Sequence, residues 1–202
     1  MRAAWADLCR RIACPPASNR FDDLDALYSE THRAYHTWFH IGECLDVWER
    51  CPESAGAPVA FEFAIWLHDA VYRPLRSDNE EASAMLAATW LKECPAGRVD
   101  GETVSGLILA TRHPTIPESK DQALMQDVDL HVLGSSPERY FEYEQQIRRE
   151  YRLVPAPLFR RRRAQLLEGF LEAEFLFHTS WFREEFEAKA RRNLGRALAN
   201  LR

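Results

Sequence analysis

The segment Phe61-Glu62-Phe63-Ala64-Ile65-Trp66-Leu67-His68-Asp69-Ala70-Val71-Tyr72 limits the possible folds most, because an almost wholly apolar run ends there in an adjacent His-Asp pair. Bounded by Pro58 and Pro74, it reads as a helix buried on nearly all sides, with Pro58 as its first residue. Burying an unpaired carboxylate and an imidazole costs several kcal/mol. His68 and Asp69 therefore need hydrogen bonds, ion pairs or a metal, and a metal is the leading expectation.

The rest of the chain sets limits on the answer. Its 202 residues, 46% hydrophobic and 28% charged, suit one globular domain with ample core. A net charge of -5 argues against duplex nucleic acid or anionic membrane as a partner, since both need a basic surface. The first residues become charged too soon for a signal peptide, and no apolar run reaches membrane-spanning length, so a cytoplasmic location is expected. Cys9, Cys14, Cys44, Cys51 and Cys94 are odd in number and form no Cys-x-x-Cys pair; reduced, half-buried core residues are expected.

Helical periodicity runs through nearly the whole sequence. Trp5, Leu8 and Ile12 mark a first helix stopped by Pro15-Pro16, and Phe21, Leu24, Leu27 and Tyr28 a second, from near Asn19 toward Arg33. In one continuous helix His32, His36 and His40 would line one face at four-residue steps. Ser77-Asp78-Asn79-Glu80 has the form of a capping box, which gives Glu80 a structural explanation and leaves Glu81 without one. Met85, Leu86, Trp90 and Leu91 give that helix its core face, and Pro95-Ala96-Gly97 ends it. Thr103 to Arg112 is a further helix, and Asp121 caps the one from Ala123 to Leu133, with Gly134 as its stop. Asp127 and Asp129 in its apolar centre are unexpected unless they face positive charge. Three more helices follow: one from Ser136-Pro137 through Tyr151, one bearing Arg160 to Arg163 as a solvated charge run, and one from about Ser180 to Leu198. The chain is expected to be all-α.

His40, the pair His68-Asp69, and an aspartate at 127 or 129 lie on three separate helices of this reading. Imidazole and carboxylate ligands without thiolate suit Mn, Fe, Ni, Co, Zn or Mg rather than a closed structural zinc site. Neighbouring helical residues diverge by about 100°, so His68 and Asp69 reach one ion only where the helix end abuts it.

The order His, His-Asp, Asp in an all-α chain resembles the HD superfamily of metal-dependent phosphohydrolases. The strings Tyr35-His36-Thr37-Trp38-Phe39-His40-Ile41, Leu67-His68-Asp69-Ala70-Val71-Tyr72, Asp78-Asn79-Glu80-Glu81-Ala82-Ser83-Ala84 and Asp127-Val128-Asp129-Leu130-His131-Val132-Leu133-Gly134 together resemble its predicted HD phosphohydrolase group. Ala190-Arg191-Arg192-Asn193-Leu194 fits that group too, so the likeness covers most of the chain. It implies a single HD-type helical bundle over residues 1-202, with a motif-bearing core of about 20-134 and additional C-terminal helices at 136-202. It also implies a divalent metal on His40, His68, Asp69 and Asp129, the second aspartate of the Asp-x-Asp string being taken as the ligand. Positions two apart on a helix diverge by about 200°, so Asp127 and Asp129 cannot both face one ion.

The implied activity is hydrolysis of a nucleotide or other small phosphate ester. Glu81, Asp78 and Asp127 are candidate proton acceptors, and Arg73, Arg76, Arg112 and Lys120 candidate phosphate contacts. His113 is either a phosphate contact or second-metal ligand, as in some superfamily members, or a helix-end histidine favoured by the dipole. Two other classes are weighed beside this one: an HD-like di-iron oxygenase, which needs more ligands than are placed here, and a non-catalytic metal-binding helical interaction module. The intact ligand set argues against a relic site.

Overall fold

The computed structural model describes residues 1–14, 18–94 and 99–201, with only the backbone of Ser18 and Asn19. It is all-helical, with no strand among the described residues. The helix stops read at Pro15-Pro16 and Pro95-Ala96-Gly97 lie outside them. Among the described residues eleven α-helices follow in order: α1 (Arg2–Arg11), α2 (Ser18–Tyr28), α3 (Trp38–Arg50), α4 (Pro58–Leu67), α5 (Asn79–Leu91), α6 (Gly101–Ala110), α7 (Lys120–Leu130), α8 (Pro137–Glu150), α9 (Ala156–Glu172), α10 (Ser180–Phe182) and α11 (Ala188–Leu201). A 3-10 turn, His131–Gly134, extends α7, and a π-turn, Arg183–Glu187, links α10 to α11. Among the described residues no helix is long and apolar enough to cross a membrane.

Helix α4 lies at the centre, packed by α1, α3, α5, α6 and α7. Every side chain from Ala60 to Leu67 is buried. Trp5, Phe63, Trp66 and Trp90 pack ring on ring around it, and Tyr28 donates its hydroxyl to the Trp66 carbonyl at 3.0 Å. Glu62, the one acid in the run, is ion-paired with Arg11. An apolar helix covered on all sides leaves its end fixed, and that end carries His68 and Asp69.

Several local expectations give way to tertiary structure. Cys14 and Cys94 form a disulfide, with Cα atoms 4.4 Å apart, so the reduced state holds only for Cys9, Cys44 and Cys51. The chain after α1 and the chain after α5 meet, although 80 residues separate the two cysteines. No capping box forms at Ser77: α5 begins at Asn79, whose side chain instead bonds both backbone groups of Arg73. Ser119 caps α7 and Asp121 does not, because Asp121 accepts from the backbone of Gly56 and Ala57. Met85 is 71% exposed, and the core face of α5 is Ser83, Ala84, Ala87 and Trp90. Arg163 leaves the solvated run to pair, buried, with Glu144. The histidine ladder is broken as well, since α2 ends at Tyr28 and turns separate it from α3.

Candidate metal centre

Three helix ends deliver the donors. Thr37 caps α3 and places His40 in its first turn, facing inward. His68 and Asp69 follow the last residue of α4 in a turn, which lets two adjacent side chains converge. Asp129 comes from the final turn of α7. The turn at 69–70 is held by Arg33, a buried guanidinium that donates to the carbonyls of His36, Asp69 and Ala70 at 2.8–2.9 Å. Ser83 fixes the next residue through both backbone groups of Val71.

The donor atoms surround one point. His40 Nε2 lies 3.2 Å from His68 Nε2 and 3.2 Å from Asp129 Oδ1. Asp69 Oδ2 is 3.4 Å from His40 Nε2 and 3.3 Å from His68 Nε2, and Asp129 Oδ1 is 3.4 Å from His68 Nε2. With ligand bonds of about 2.1 Å, neighbouring donors stand about 3.0 Å apart around an octahedral ion and about 3.4 Å around a tetrahedral one. The spacing therefore fits a divalent cation. His68 Nδ1 engages the Ile65 carbonyl at 2.9 Å, which turns Nε2 to the centre as metal-ligating imidazoles require.

The electrostatics agree with the spacing. Burial works against charge on Asp69, but His68, His36 and His40 outweigh it and hold the carboxyl below its ordinary range. Asp129 is likewise held well below, against burial, by hydrogen bonds from His113, His40 and His68. Burial disfavours the His68 imidazolium, yet the two carboxylates raise its pKa well above the usual value. The two ionised carboxylates thus face a point where positive charge is stabilised, whether as a proton on His68 or as a cation that displaces it.

The sequence reading passed over some residues here. His40, Cys44, His68 and Asp129 each offer a donor within 4.8 Å of the others, a group able to hold a metal ion. Cys44 Sγ is equidistant, at 3.7 Å, from both ring nitrogens of His40 and from the Val128 carbonyl, so it packs against the ring rather than pointing along the Nε2 axis. Burial pushes its thiol pKa well up. His36 donates from Nδ1 to Glu150 Oε2 at 2.7 Å, and its ring stacks on Tyr72 at 3.9 Å. Glu150 Oε1 also accepts from the backbone of Ala34, Tyr35 and His36. Burial keeps imidazoles neutral, but Glu150 outweighs it and raises the His36 pKa. Glu80, free of a capping role, is half-buried, and burial with the charges of Asp69 and Glu81 pushes its carboxyl up.

Other residues singled out by sequence are placed as follows. His113 Nε2 lies 3.3 Å from Asp129 Oδ2, the oxygen turned away from the ring of donors. Asp127 points elsewhere: it accepts from the backbone of His178 and Thr179, and burial pushes its carboxyl up to about 6 despite those bonds. Asp78 is ion-paired with Arg76, Glu81 with Arg112, and Arg73 with Glu30. Lys120 is exposed at the start of α7. The geometry thus gathers His40, His68, Asp69, Asp129 and His113, with His36 beside them, and leaves the three arginines engaged with acids. No protein-family model, curated protein or solved structure matches this chain.

Proposed function

We propose that this chain is a metal-dependent phosphohydrolase of the HD type, acting on a nucleotide or other small phosphate ester. The carrying observation is the cluster of two imidazole nitrogens and two carboxylate oxygens, each nitrogen standing 3.2–3.4 Å from the other three donors. A divalent ion held there supplies Lewis acidity toward a phosphoryl oxygen and a bound water of lowered pKa. His40 and His68 are buried at 0% and 1% side-chain exposure, whereas Asp69 and Asp129 keep 19% and 17%. Substrate thus approaches from the carboxylate side in this reading, with His113 beside Asp129 and His36 beside His40. His36, oriented by Glu150, and His113 contact the ester oxygens. Glu80 is the proton acceptor in this reading, with Glu81, whose Oε2 is buried without a hydrogen-bond partner, as the second candidate; Asp78 and Asp127 are committed to Arg76 and to the backbone of residues 178–179.

The reading is tested by elemental analysis of protein purified without chelator or affinity metal, alongside phosphate release from a panel of nucleotides. Wild type should carry near-stoichiometric metal and release phosphate. Asp69→Ala should lose the metal and more than about a hundredfold of the activity. A wild type that takes up no divalent ion under any condition sinks the reading.

A further inference from the structure

Charge is unevenly divided along this chain. Residues 1–135 carry 21 Asp and Glu against 12 Lys and Arg, whereas residues 136–202 carry 14 Lys and Arg against 10 Asp and Glu. In the acidic part Arg2, Arg11, Arg73, Arg76 and Arg112 each meet a carboxylate. On α11, by contrast, Lys189, Arg192 and Arg196 follow one another at three- and four-residue steps, and none has an ion-pair partner among the described residues. An acidic protein that leaves a row of cations unneutralised has placed positive charge there against its own average.

Two cavities meet along that row. One, of about 730 Å³, opens between α8, α9 and α11, shares no lining residue with the metal centre, and presents apolar area from Tyr140, Phe141, Phe159, Ala197 and Leu201 beside Glu144, Arg148, Arg149 and Arg160. Phe141 is 60% exposed at its lip. The other, of about 500 Å³, is lined by Arg50, Ser135, Ser136, Lys189 and Arg192, with Glu185 its one carboxylate. Pro137, Asn193 and Arg196 belong to both walls, so the cavities adjoin and Arg196 stands at their junction. Arg50 spends its Nε on the Asp46 carbonyl of its own helix, which leaves the rest of the guanidinium for a ligand.

We infer that these two cavities form a single binding site for a small molecule joining a flat aromatic body to a phosphate-like dianion. The larger cavity offers the exposed ring of Phe141 for stacking and apolar area for burial. Lys189, Arg192 and Arg196 receive the dianion, guanidinium being the group best matched to phosphate oxygens. Neither half suffices alone: the cationic pocket without the cleft binds any anion weakly in water, and the cleft without the cations does not choose among apolar molecules. The site is independent of the metal centre and of the activity proposed for it.

The test is calorimetry of the full-length chain with 1-naphthyl phosphate, run with chelator and repeated with added Mn. Binding should occur in both conditions, at least about tenfold more tightly than for inorganic phosphate or 1-naphthol. Arg192→Glu with Arg196→Glu should raise Kd at least about tenfold, and Phe141→Ala by a few-fold, without moving the thermal midpoint, because all three side chains are exposed. The inference is overturned if the ester does not bind, if inorganic phosphate binds as tightly, if the charge reversals leave Kd unchanged, or if binding appears only with Mn, which would assign it to the metal centre.

Discussion

Helices α4 and α11 show two ways of belonging to one fold. All side chains of α4 from Ala60 to Leu67 are buried, and nothing but apolar contact holds most of them. Helix α11 buries only Ala190, Asn193 and Leu194, turns Lys189, Arg192 and Arg196 outward, and is fastened by Asn193 Nδ2 to the carbonyls of Leu133 and Ser135 and by Arg191 to those of Leu171, Ala173 and Glu174. The same contrast separates the regions around them. The apolar core continues from α1 into the C-terminal helices through Tyr143, Ile147, Leu167, Phe177, Phe182 and Leu194, but there it is joined by buried polar contacts: Glu150 to residues 34–36, Asp127 to residues 178–179, and Asn193. Apolar burial is strong but undirected; a hydrogen-bonded staple is weaker yet satisfied in only one register.

The sharpest break should come at the core. Trp66→Ala is expected to cost about 3–5 kcal/mol, and chemical denaturation should show the whole chain, metal centre included, lost in one transition. If metal binding survives in a loosened Trp66→Ala protein, α4 does not position the site as described. Glu150→Ala comes next at about 3–5 kcal/mol, since it strands three backbone N–H groups and the His36 ring. Against burial, His36 and those N–H groups hold Glu150 down at about 2, below its ordinary 4.5. A carboxyl lowered on folding contributes stability that is whole above about pH 4.5 and fades as pH falls toward 2. Urea titrations of wild type and Glu150→Gln across that window should therefore converge at the acid end, and parallel curves would refute the role given to Glu150.

Asn193→Ala should cost about 1–3 kcal/mol, with hydrogen exchange rising first in α11 and only later in α4. Uniform loss of protection in both helices would erase the distinction between the two regions. The smallest effect should be at Ser119, where removing the cap of α7 costs about 1 kcal/mol by thermal melting. A comparable loss on replacing Asp121 would come from its bonds to Gly56 and Ala57, not from the helix cap.

What could be read in advance divides along the same line. The buried helix and its His-Asp end stand out because an apolar run with two ionisable residues at its edge has few solutions, and the all-helical class follows from periodicity. The donors His40, His68, Asp69 and Asp129 come from short strings whose spacing survives folding. The staples leave no such trace. Glu150 meets residues more than a hundred positions away and looks, in sequence, like any acid on an amphipathic helix. Cys14 and Cys94 are likewise isolated until α1 and α5 meet. Asp127 and Asp129, two residues apart, separate into a structural and a centre-facing carboxylate only once the segment at 178–179 is docked against α7.

The unequal exposure of the four donors sets an order of events in time. With both imidazoles sealed inside and both carboxylates partly exposed, a cation reaching this centre would meet negative charge before nitrogen. In the proposed reading, capture is then a fast, salt-sensitive encounter with Asp69 and Asp129, and seating is a slower exchange of water for His40 and His68. An ion held there would leave by the same path, and the buried nitrogens of His40 and His68 would make its departure slow.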